Sequence, residues 1–252
     1  MDIKNNLMLG LMLLLGGVFY YYSRHIESNN KDTSTIIVGT SADYPPYEYI
    51  DGEDVVGFDI SLIKAIAQKL ERPVEIKNMS FESLLIEIQR GTIHTIASMM
   101  NVTPERATKI FFTTPYVDND ELILISLKDN QYDNLTALQG KEVLVNDGFS
   151  AEKYMTEQEG IVIKRIGTVA EAFLALTMKK SDAYVVTECA AQDYFRLYGR
   201  NKFNIISLGV AESVAFGISK KHPELFTAIN NILKEFKIDG TLQRLKEKWG
   251  IV

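Results

Sequence analysis

Apolar positions beyond residue 34 follow two alternating spacings. Short β-branched runs predict strands, and the first of them, TIIVGT at residues 35–40, has the uninterrupted apolar pattern of a buried parallel strand. Segments with apolar residues three and four positions apart predict amphipathic helices, and in the first, residues 59–70, Asp59 is placed to cap the helix. This alternation predicts an α/β fold in which helices cover both faces of the sheets.

The same two spacings continue to the end of the chain in two series. Further strands are predicted at 74–77, 92–98, 121–127, 142–145, 161–166, 182–186 and 213–220, and further helices at 80–91, from 150 onward, at 169–180, up to 198, at 223–236 and at 239–250. Two strands, 121–127 and 213–219, bracket the second series, so we expect them to pair and to carry the chain to a second lobe and back. Open α/β sheets favour a ligand site between such lobes, at the carboxyl ends of the strands.

Residues 7–22 form a run of sixteen positions without a charged side chain. The apolar core of a secretory signal spans about 7–15 residues and a membrane-spanning helix needs about 20, so the run fits a cleaved signal peptide or an uncleaved anchor. The anchor is favoured, because no Ala-x-Ala cleavage pattern follows and the tyrosines at 20–22 resemble an interfacial aromatic belt. We therefore predict export, with residues 1–22 as signal peptide or anchor and residues 23–34 as a polar linker.

The composition is that of an ordinary globular protein, with 46% hydrophobic and 24% charged residues among 252. The formal charge of −6 argues against a nucleic-acid partner, because proteins that bind nucleic acid carry a basic surplus. Cys189 is the single cysteine and the three histidines are widely separated, so neither an intrachain disulfide nor a cysteine metal cluster is expected. We expect no metal or cofactor, and the scarcity of catalytic groups favours a binding protein over an enzyme.

Five stretches carry a resemblance to a known family, in order and at the expected separations. They lie at 39–70, 97–116, 138–154, 181–186 and 222–250, and they include TSADYPPYEYID and MNVTPERATKIFFTTPY. Through them the chain resembles the family-3 extracellular solute-binding proteins, the amino-acid receptors of ABC importers. Among these, the arginine-binding receptors look nearest.

The resemblance implies a type II periplasmic-binding-protein fold, in which two lobes, each a sheet flanked by helices, are joined by two hinge strands. Residues 35–123 and 214–252 would form the first lobe, and residues 124–213 the second. It also implies a periplasmic monomer, tethered to the inner membrane if the N-terminal segment stays uncleaved. Such a protein captures a polar amino acid, here a basic one with arginine first, and delivers it to the permease of an ABC transporter.

Arg106, in the motif TPER, is the residue that the resemblance assigns to the ligand carboxylate, since a guanidinium offers two parallel donors to one carboxylate. Ser98, Met99 and Asn101 precede it at the end of a strand, where family members present backbone and hydroxyl groups to the ligand. Asn101 stands where Ser or Thr is usual. Ser150 matches a position in the second lobe that also meets the carboxylate, and it would cap the following helix as well.

The residues expected to bind the ligand ammonium depart from the family pattern. Ser41 stands in the first βα loop where many members carry an acid, so it offers a hydrogen-bond acceptor but no charge. In the second lobe, the aspartate of the family aligns with Thr187. We assign the ammonium to the next residue, Glu188, and which of the two meets the ligand stays open. Asp43 is a second candidate acid, although it also fits a turn.

Tyr44 and Phe81 match positions where aromatic rings line the side chain of the ligand. A guanidinium stacked on such rings gains roughly 0.5–2 kcal/mol from cation–π attraction, which favours arginine. For Phe81, packing in the core is the alternative, because it also fits the apolar face of its predicted helix.

An enzyme on the same scaffold is the alternative function, because some relatives of the family act as small dehydratases. That reaction needs a general acid in the cleft, for which Glu188 is the obvious candidate in the sequence. Activity on prephenate or arogenate would reveal it.

Overall fold

The computed structural model describes residues 33–251. The predicted signal peptide or anchor and nearly all of the predicted linker fall in residues 1–32, outside the described residues. In the described part, no helix combines the length and the apolar character that crossing a membrane requires.

Strands and helices alternate through the described part, as the spacing of apolar residues predicted. The strands are β1 (Ile36–Thr40), β2 (Asp43–Tyr44), β3 (Glu48–Asp51), β4 (Asp54–Val56), β5 (Val74–Asn78), β6 (Thr95–Ile96), β7 (Phe111–Phe112), β8 (Val117–Leu127), β9 (Glu142–Asn146), β10 (Val162–Ile166), β11 (Ala183–Thr187), β12 (Phe203–Val214) and β13 (Gly217–Ile218). The α-helices are α1 (Phe58–Leu70), α2 (Phe81–Arg90), α3 (Pro104–Lys109), α4 (Ser150–Thr156), α5 (Val169–Thr177), α6 (Glu188–Tyr198), α7 (Pro223–Ile238) and α8 (Thr241–Lys248).

Five strands form the first sheet, in the order β5-β1-β6-β13-β7. β1 lies between two parallel neighbours, and Val38 pairs with Ile76 on β5 and with Thr95 on β6. β13 returns from the far end of the chain and pairs antiparallel with β6 and β7. α1 packs against α7 and α8, and we call this sheet with the helices packed around it lobe 1.

The second sheet has the order β10-β9-β11-β8-β12. β9 pairs in parallel with β10 and β11, while β8 pairs antiparallel with β11 and β12. Helices α4 and α5 pack on its strands, and we call this sheet with its helices lobe 2. Two sheets flanked by helices are the two-lobed α/β architecture that the sequence predicted, and the lobe boundaries at residues 123 and 214 stay a prediction.

β8 and β12 form a long antiparallel ribbon, which we call the hinge ribbon. Its pairing runs from Phe203 opposite Leu127 to Val214 opposite Val117, with a shift of register in between. The ribbon is continuous with β7 on one strand and with β13 on the other, so it carries the chain out of lobe 1 and back. A pair of crossover strands is therefore present, as predicted, but residues 121–127 pair with 203–211 and not with the predicted 213–219.

The bounds predicted for the second crossover strand are wrong. It was expected at residues 213–219, whereas β12 begins at Phe203 and the separate strand β13 belongs to the first sheet. From Ile206 to Glu212 the side chains of β12 alternate between partly buried and exposed, which is the pattern of a strand with one solvated face. This strand lacks the continuous apolar run that marks the buried strands, so the pattern of apolar residues does not reveal it.

Asp59 lies in the first turn of α1 but does not cap the helix. The cap position is held by Gly57, and the side chain of Asp59 is fully buried. Its Oδ2 accepts a 2.9 Å hydrogen bond from the backbone N–H of Met99 and another from the hydroxyl of Tyr116. The predicted cap is wrong because the carboxylate turns inward and ties α1 to the segment that follows β6. Burial raises the pKa of Asp59 to about 7, and the two hydrogen bonds oppose the rise.

Asp59→Asn should make the stability of the protein less dependent on pH. A carboxyl group whose pKa is higher in the folded protein takes up a proton on folding, so its contribution to the free energy of unfolding declines as pH rises from about 4 to about 7. Asparagine keeps an acceptor for both hydrogen bonds but cannot titrate. The free energy of unfolding, measured by urea denaturation across this range, should fall less steeply with pH in the variant than in the wild type. The two slopes should differ by up to about 1.4 kcal/mol per pH unit.

Asp54→Asn, at an exposed position of β4, is the matched control and should keep the pH slope of the wild type. Identical slopes for Asp59→Asn and the wild type would contradict the raised pKa.

Candidate functional site

Lobe 1 presents Arg106 at the start of the short helix α3. Thr103 caps this helix, because its hydroxyl accepts a 3.2 Å hydrogen bond from the backbone N–H of Arg106. Pro104 holds the first turn, where a missing N–H costs nothing. These local features fix where the side chain of Arg106 leaves the backbone, and Arg106 is 7% exposed.

The guanidinium of Arg106 spans the gap between the lobes. Nη1 donates to the carbonyl oxygen of Asn101 at 2.8 Å, and Nη2 donates to the carbonyl oxygen of Gly148, on lobe 2, at 2.9 Å. The group also lies over the ring of Phe81, 5.3 Å from its centroid. Burial lowers the pKa of Arg106, and the carboxylate of Glu212 opposes that shift. A guanidinium has five N–H donors and these contacts use two, so others can bind a carboxylate.

Three buried or partly buried aromatic rings meet where the lobes approach each other. Phe149, on lobe 2, lies 4.5 Å from Phe81 and 6.5 Å from Tyr44, centroid to centroid. The hydroxyl of Tyr44 shares a 3.0 Å hydrogen bond with Oγ1 of Thr187, again across the cleft. Tyr44 and Phe81 were predicted from the sequence. Phe149 was missed, because an aromatic residue in a glycine turn gives no sign of the direction in which it points.

Ser41 and Ser98 meet beyond the carboxyl ends of the neighbouring strands β1 and β6. The hydroxyl of Ser98 accepts a 2.9 Å hydrogen bond from the backbone N–H of Ser41 and donates to Oε1 of the buried Glu48 at 3.3 Å. The hydroxyl of Ser41 donates to Oδ1 of Asp43 at 3.1 Å. Met99 follows with a left-handed backbone, φ 40°, and is buried. These bonds hold together the residues that follow β1 and β6, on the side of lobe 1 where the ligand site is predicted.

Ser150 and Asn101 each carry a buried polar atom without a hydrogen-bond partner, Oγ in the serine and Nδ2 in the asparagine. Phe149 holds the cap position of α4 and Ser150 is the first helical residue, so the predicted capping by Ser150 is wrong. A buried polar group that makes no hydrogen bond costs about 1–3 kcal/mol. The hydroxyl and the amide are therefore groups that a bound ligand would satisfy.

Glu188 is partly exposed and paired with a surface arginine. Its side chain is 40% exposed, and its Oε1 lies 3.6 Å from a guanidinium nitrogen of Arg200. Thr187, one residue earlier, is buried and bonded to Tyr44. The structure thus places Thr187 against the cleft-lining tyrosine and pairs Glu188 with solvent-exposed charge, and the role assigned to Glu188 stays a prediction.

Two carboxylates on the hinge ribbon lie near these groups and were not predicted. Asp120, on β8, is buried, and its Oδ1 accepts a 3.0 Å hydrogen bond from the backbone N–H of Cys189. Glu212, on β12, lies directly opposite Asp120. Burial raises the pKa of Asp120 to about 6 and also raises that of Glu212, although Ser150 and Arg106 favour the ionised form of Glu212. Strand register, which the sequence does not reveal, brings the two together.

A cavity of about 430 Å³ opens beside Arg106, a size within the range of small-molecule pockets. Lobe 1 contributes Phe81 and Thr103 to its walls, and lobe 2 contributes Phe149 and Ser150. Among residues 33–251, no group of three or more histidine, cysteine, aspartate or glutamate side chains is arranged to hold a metal ion. Of the residues predicted to bind the ligand, Phe81, Arg106 and Ser150 line this cavity.

Gly148 permits the close approach of the two lobes. Its φ is 77°, and a Cβ at this position would lie 3.1 Å from the Cβ of Glu82 on lobe 1, tighter than ordinary side-chain contacts. Nearby, Nζ of Lys153 on lobe 2 lies 3.4 Å from Oε2 of Glu105 on lobe 1. The turn before α4 therefore forms the contact surface of lobe 2.

Known proteins are similar to this chain over most of its length. The arginine-binding extracellular protein ArtP of Bacillus subtilis (strain 168) is 30% identical over 247 residues, which cover 95% of this chain and 96% of that protein. An ancestral arginine-binding protein bound to arginine has a TM-score of 0.80 at 32% identity, covering 85% of this chain and 97% of that one. An ancestral arginine-binding protein bound to glutamine has a TM-score of 0.79 at 32% identity, covering 86% and 98%.

The family follows from a match that spans both lobes. The sequence profile of one family covers residues 36–251, from β1 to the residue after the last glycine. The two five-stranded sheets and the ribbon that joins them are the arrangement which the resemblance implied. This chain belongs to the bacterial extracellular solute-binding proteins, family 3.

Proposed function

We propose that this protein captures an L-amino acid, arginine first, between its lobes and delivers it to the permease of an ABC transporter. The observation that carries the proposal is the buried guanidinium of Arg106, which reaches Gly148 on the opposite lobe and keeps further N–H groups for a carboxylate. A carboxylate taken out of water must be paired, and the planar fork of arginine matches its geometry. A ligand held there contacts both lobes, so its binding favours closure.

The side chain of the ligand would lie among the rings of Tyr44, Phe81 and Phe149. A guanidinium on aromatic faces gains cation–π attraction, which supports arginine. The names of the relatives support it as well, since the Bacillus subtilis protein is called arginine-binding and one solved neighbour holds arginine. Another neighbour holds glutamine, so an uncharged polar amino acid is the next ligand to titrate.

The site of action follows from the family, whose members are extracellular by description. We extend this to a periplasmic monomer that residues 1–22, left uncleaved, tether to the inner membrane beside the permease. The run of apolar residues that ends in three tyrosines supports the tether. The relatives support the transporter, because proteins at comparable identity are named as binding proteins of ABC transporters.

A dehydratase on the same scaffold has less support. The general acid that the sequence offered for it, Glu188, is partly exposed and paired with Arg200, whereas a general acid must lie within hydrogen-bond reach of the substrate atom that it protonates. Incubation with prephenate and with arogenate should therefore give no product above the uncatalysed rate.

Arg106→Ala should remove most of the affinity for the ligand. The purified protein would be unfolded and refolded to strip bound ligand, then titrated calorimetrically with L-arginine, L-glutamine and the other common amino acids. We expect a micromolar or tighter fit for the wild type and roughly 30-fold or more weaker binding for Arg106→Ala. Arg106→Lys keeps the charge but loses the fork, so its affinity should be intermediate. No heat from any amino acid would contradict the proposed function.

Gly148→Ala should weaken ligand binding by hindering closure. The added methyl group meets Glu82 across the cleft, and the left-handed backbone also costs about 1 kcal/mol of stability. Gly140→Ala is the matched control, because Gly140 has a similar φ of 70° with nothing within 4 Å of its would-be Cβ. Both variants should lose similar stability on thermal unfolding, but Gly148→Ala alone should bind roughly tenfold or more weakly. Equal affinities in the two variants would speak against Gly148 as a closure contact.

A further inference from the structure

We infer that Asp120 and Glu212, facing each other on the hinge ribbon, are the counter-charge for the α-ammonium group of the ligand. The inference rests on the proposed function and concerns a different subsite from Arg106, which is proposed to bind the ligand carboxylate. It replaces the assignment of the ammonium to Glu188 with two residues that neither the motifs nor the resemblance pointed to.

The pairing of the hinge ribbon places both carboxylates on one face. Asp120 and Glu212 are direct partners in the antiparallel register of β8 and β12. Side chains of directly opposite residues in such a pair stand on the same side of the sheet, with Cβ atoms roughly 4.5–5.5 Å apart. Like charges at that distance destabilise a sheet, whereas a cation held between them turns the arrangement into a favourable one.

Each carboxylate has one buried oxygen without a hydrogen-bond partner. Oδ1 of Asp120 is fixed by the N–H of Cys189, while its Oδ2 is buried without a hydrogen bond, in a residue that is 3% exposed. Oε2 of Glu212 is likewise buried and unpaired. Acceptors in this state are rare in proteins, since each costs free energy unless a donor reaches it. An ammonium group supplies three N–H donors and a positive charge.

Asp120 and Glu212 lie beside Arg106, the residue proposed to bind the ligand carboxylate. Val214, two residues after Glu212, forms a bridge with Asn101, whose carbonyl oxygen accepts from Arg106. Asp120 is bonded to Cys189, close to Thr187 along the chain. Arg106 and Ser150 favour the ionised form of Glu212, and Thr187 does the same for Asp120. In an α-amino acid the carboxylate and the ammonium are attached to the same carbon, so their two subsites must be adjacent. The acids on the hinge ribbon meet this condition.

Charge balance in the cleft leads to the same assignment. Ser41 and Thr187 are neutral at positions where the resemblance leads one to expect acids. Asp43 accepts a hydrogen bond from Ser41, and the partly exposed Glu188 is paired with Arg200. With Arg106 paired to the ligand carboxylate, the ammonium needs a negative partner that is buried in the site. Asp120 is held in place by its backbone contact, so it offers a preorganised acceptor.

Calorimetry with a matched pair of ligands tests the inference. L-Arginine and 5-guanidinopentanoic acid differ by the α-ammonium group, so the ratio of their affinities reports what binds that group. We expect Asp120→Asn to bind L-arginine roughly 30-fold or more weakly than the wild type, and to change the affinity for the desamino compound by less than about threefold. Glu212→Gln should shift the ratio in the same direction by a smaller factor, because Glu212 is less buried.

Asp118→Asn is the matched control, since it removes an exposed carboxylate from the same strand, and both affinities should equal those of the wild type. If L-glutamine proves to be the better ligand, the corresponding pair is L-glutamine and 4-carbamoylbutanoic acid.

Three results would overturn the inference. Asp120→Asn and Glu212→Gln could keep the wild-type ratio, or weaken both ligands equally, which is what a structural role predicts. Glu188→Gln could instead lower the affinity ratio, which would return the ammonium to Glu188. A wild-type protein that binds no amino acid would overturn the proposed function itself, and with it this subsite, so the two failures are told apart by the wild-type titration.

Discussion

The antiparallel pairing of β8 with β12 is the constraint on which the rest of the molecule depends. One end of this ribbon forms the edge of the second sheet, through the pairing of β8 with β11. The other end is bonded to lobe 1. There Val214 forms a bridge with Asn101, and the carbonyl oxygen of Val214 accepts a hydrogen bond from the N–H of Tyr116. Because Asn101 in turn holds the guanidinium of Arg106, the ribbon sets the position of that side chain relative to lobe 2. Backbone hydrogen bonds of the ribbon thus set the relative positions of the two walls of the cleft.

Within that frame, burial decides which groups are able to act on a ligand. Arg106 and Asp120 are withdrawn from water, and each is oriented by a bond to the backbone, through Asn101 and Cys189 respectively. Opposite charges that are fixed and desolvated recognise a zwitterion strongly, because the surrounding water no longer competes for them. A charge on the surface, such as that of Glu188, interacts with solvent and with Arg200 instead. If the proposed subsites hold, proximity along the sequence is a poor guide to them.

The sequence predicts the alternation of strands and helices well, because that alternation depends on local spacing of apolar residues. The hydrogen bond between the N–H of Ser41 and the hydroxyl of Ser98 lies at the carboxyl ends of β1 and β6, the edge where the sequence predicts the ligand site. The inward turn of Asp59 could not be predicted, because an acid in the first turn of a helix fits a cap and a buried anchor equally well. The pairing of Asp120 with Glu212 depends on the register of distant strands.

The directions of side chains in turns could not be predicted from the sequence either. Phe149 and Ser150 are neighbours in a short turn, and the cap belongs to Phe149 although serine has the stronger intrinsic preference for it. The close contact of Phe149 with Phe81 on the other lobe explains why Phe149 and not Ser150 holds the cap position, since tertiary packing outweighs a local preference of about 1 kcal/mol.

The contacts that hold the two lobes together also determine how the protein responds to its surroundings. The buried ones are the hydroxyl bond between Tyr44 and Thr187, the ring contact of Phe81 with Phe149, and a guanidinium bond to a carbonyl oxygen. Mobile ions screen exposed charges over a Debye length of about 8 Å at physiological ionic strength, but they have little effect on neutral or buried groups. Outside the cytoplasm the salt concentration follows that of the environment. Salt would weaken the exposed ion pair of Lys153 with Glu105, but a receptor whose lobes also meet through these buried contacts loses little of its closure in saline surroundings.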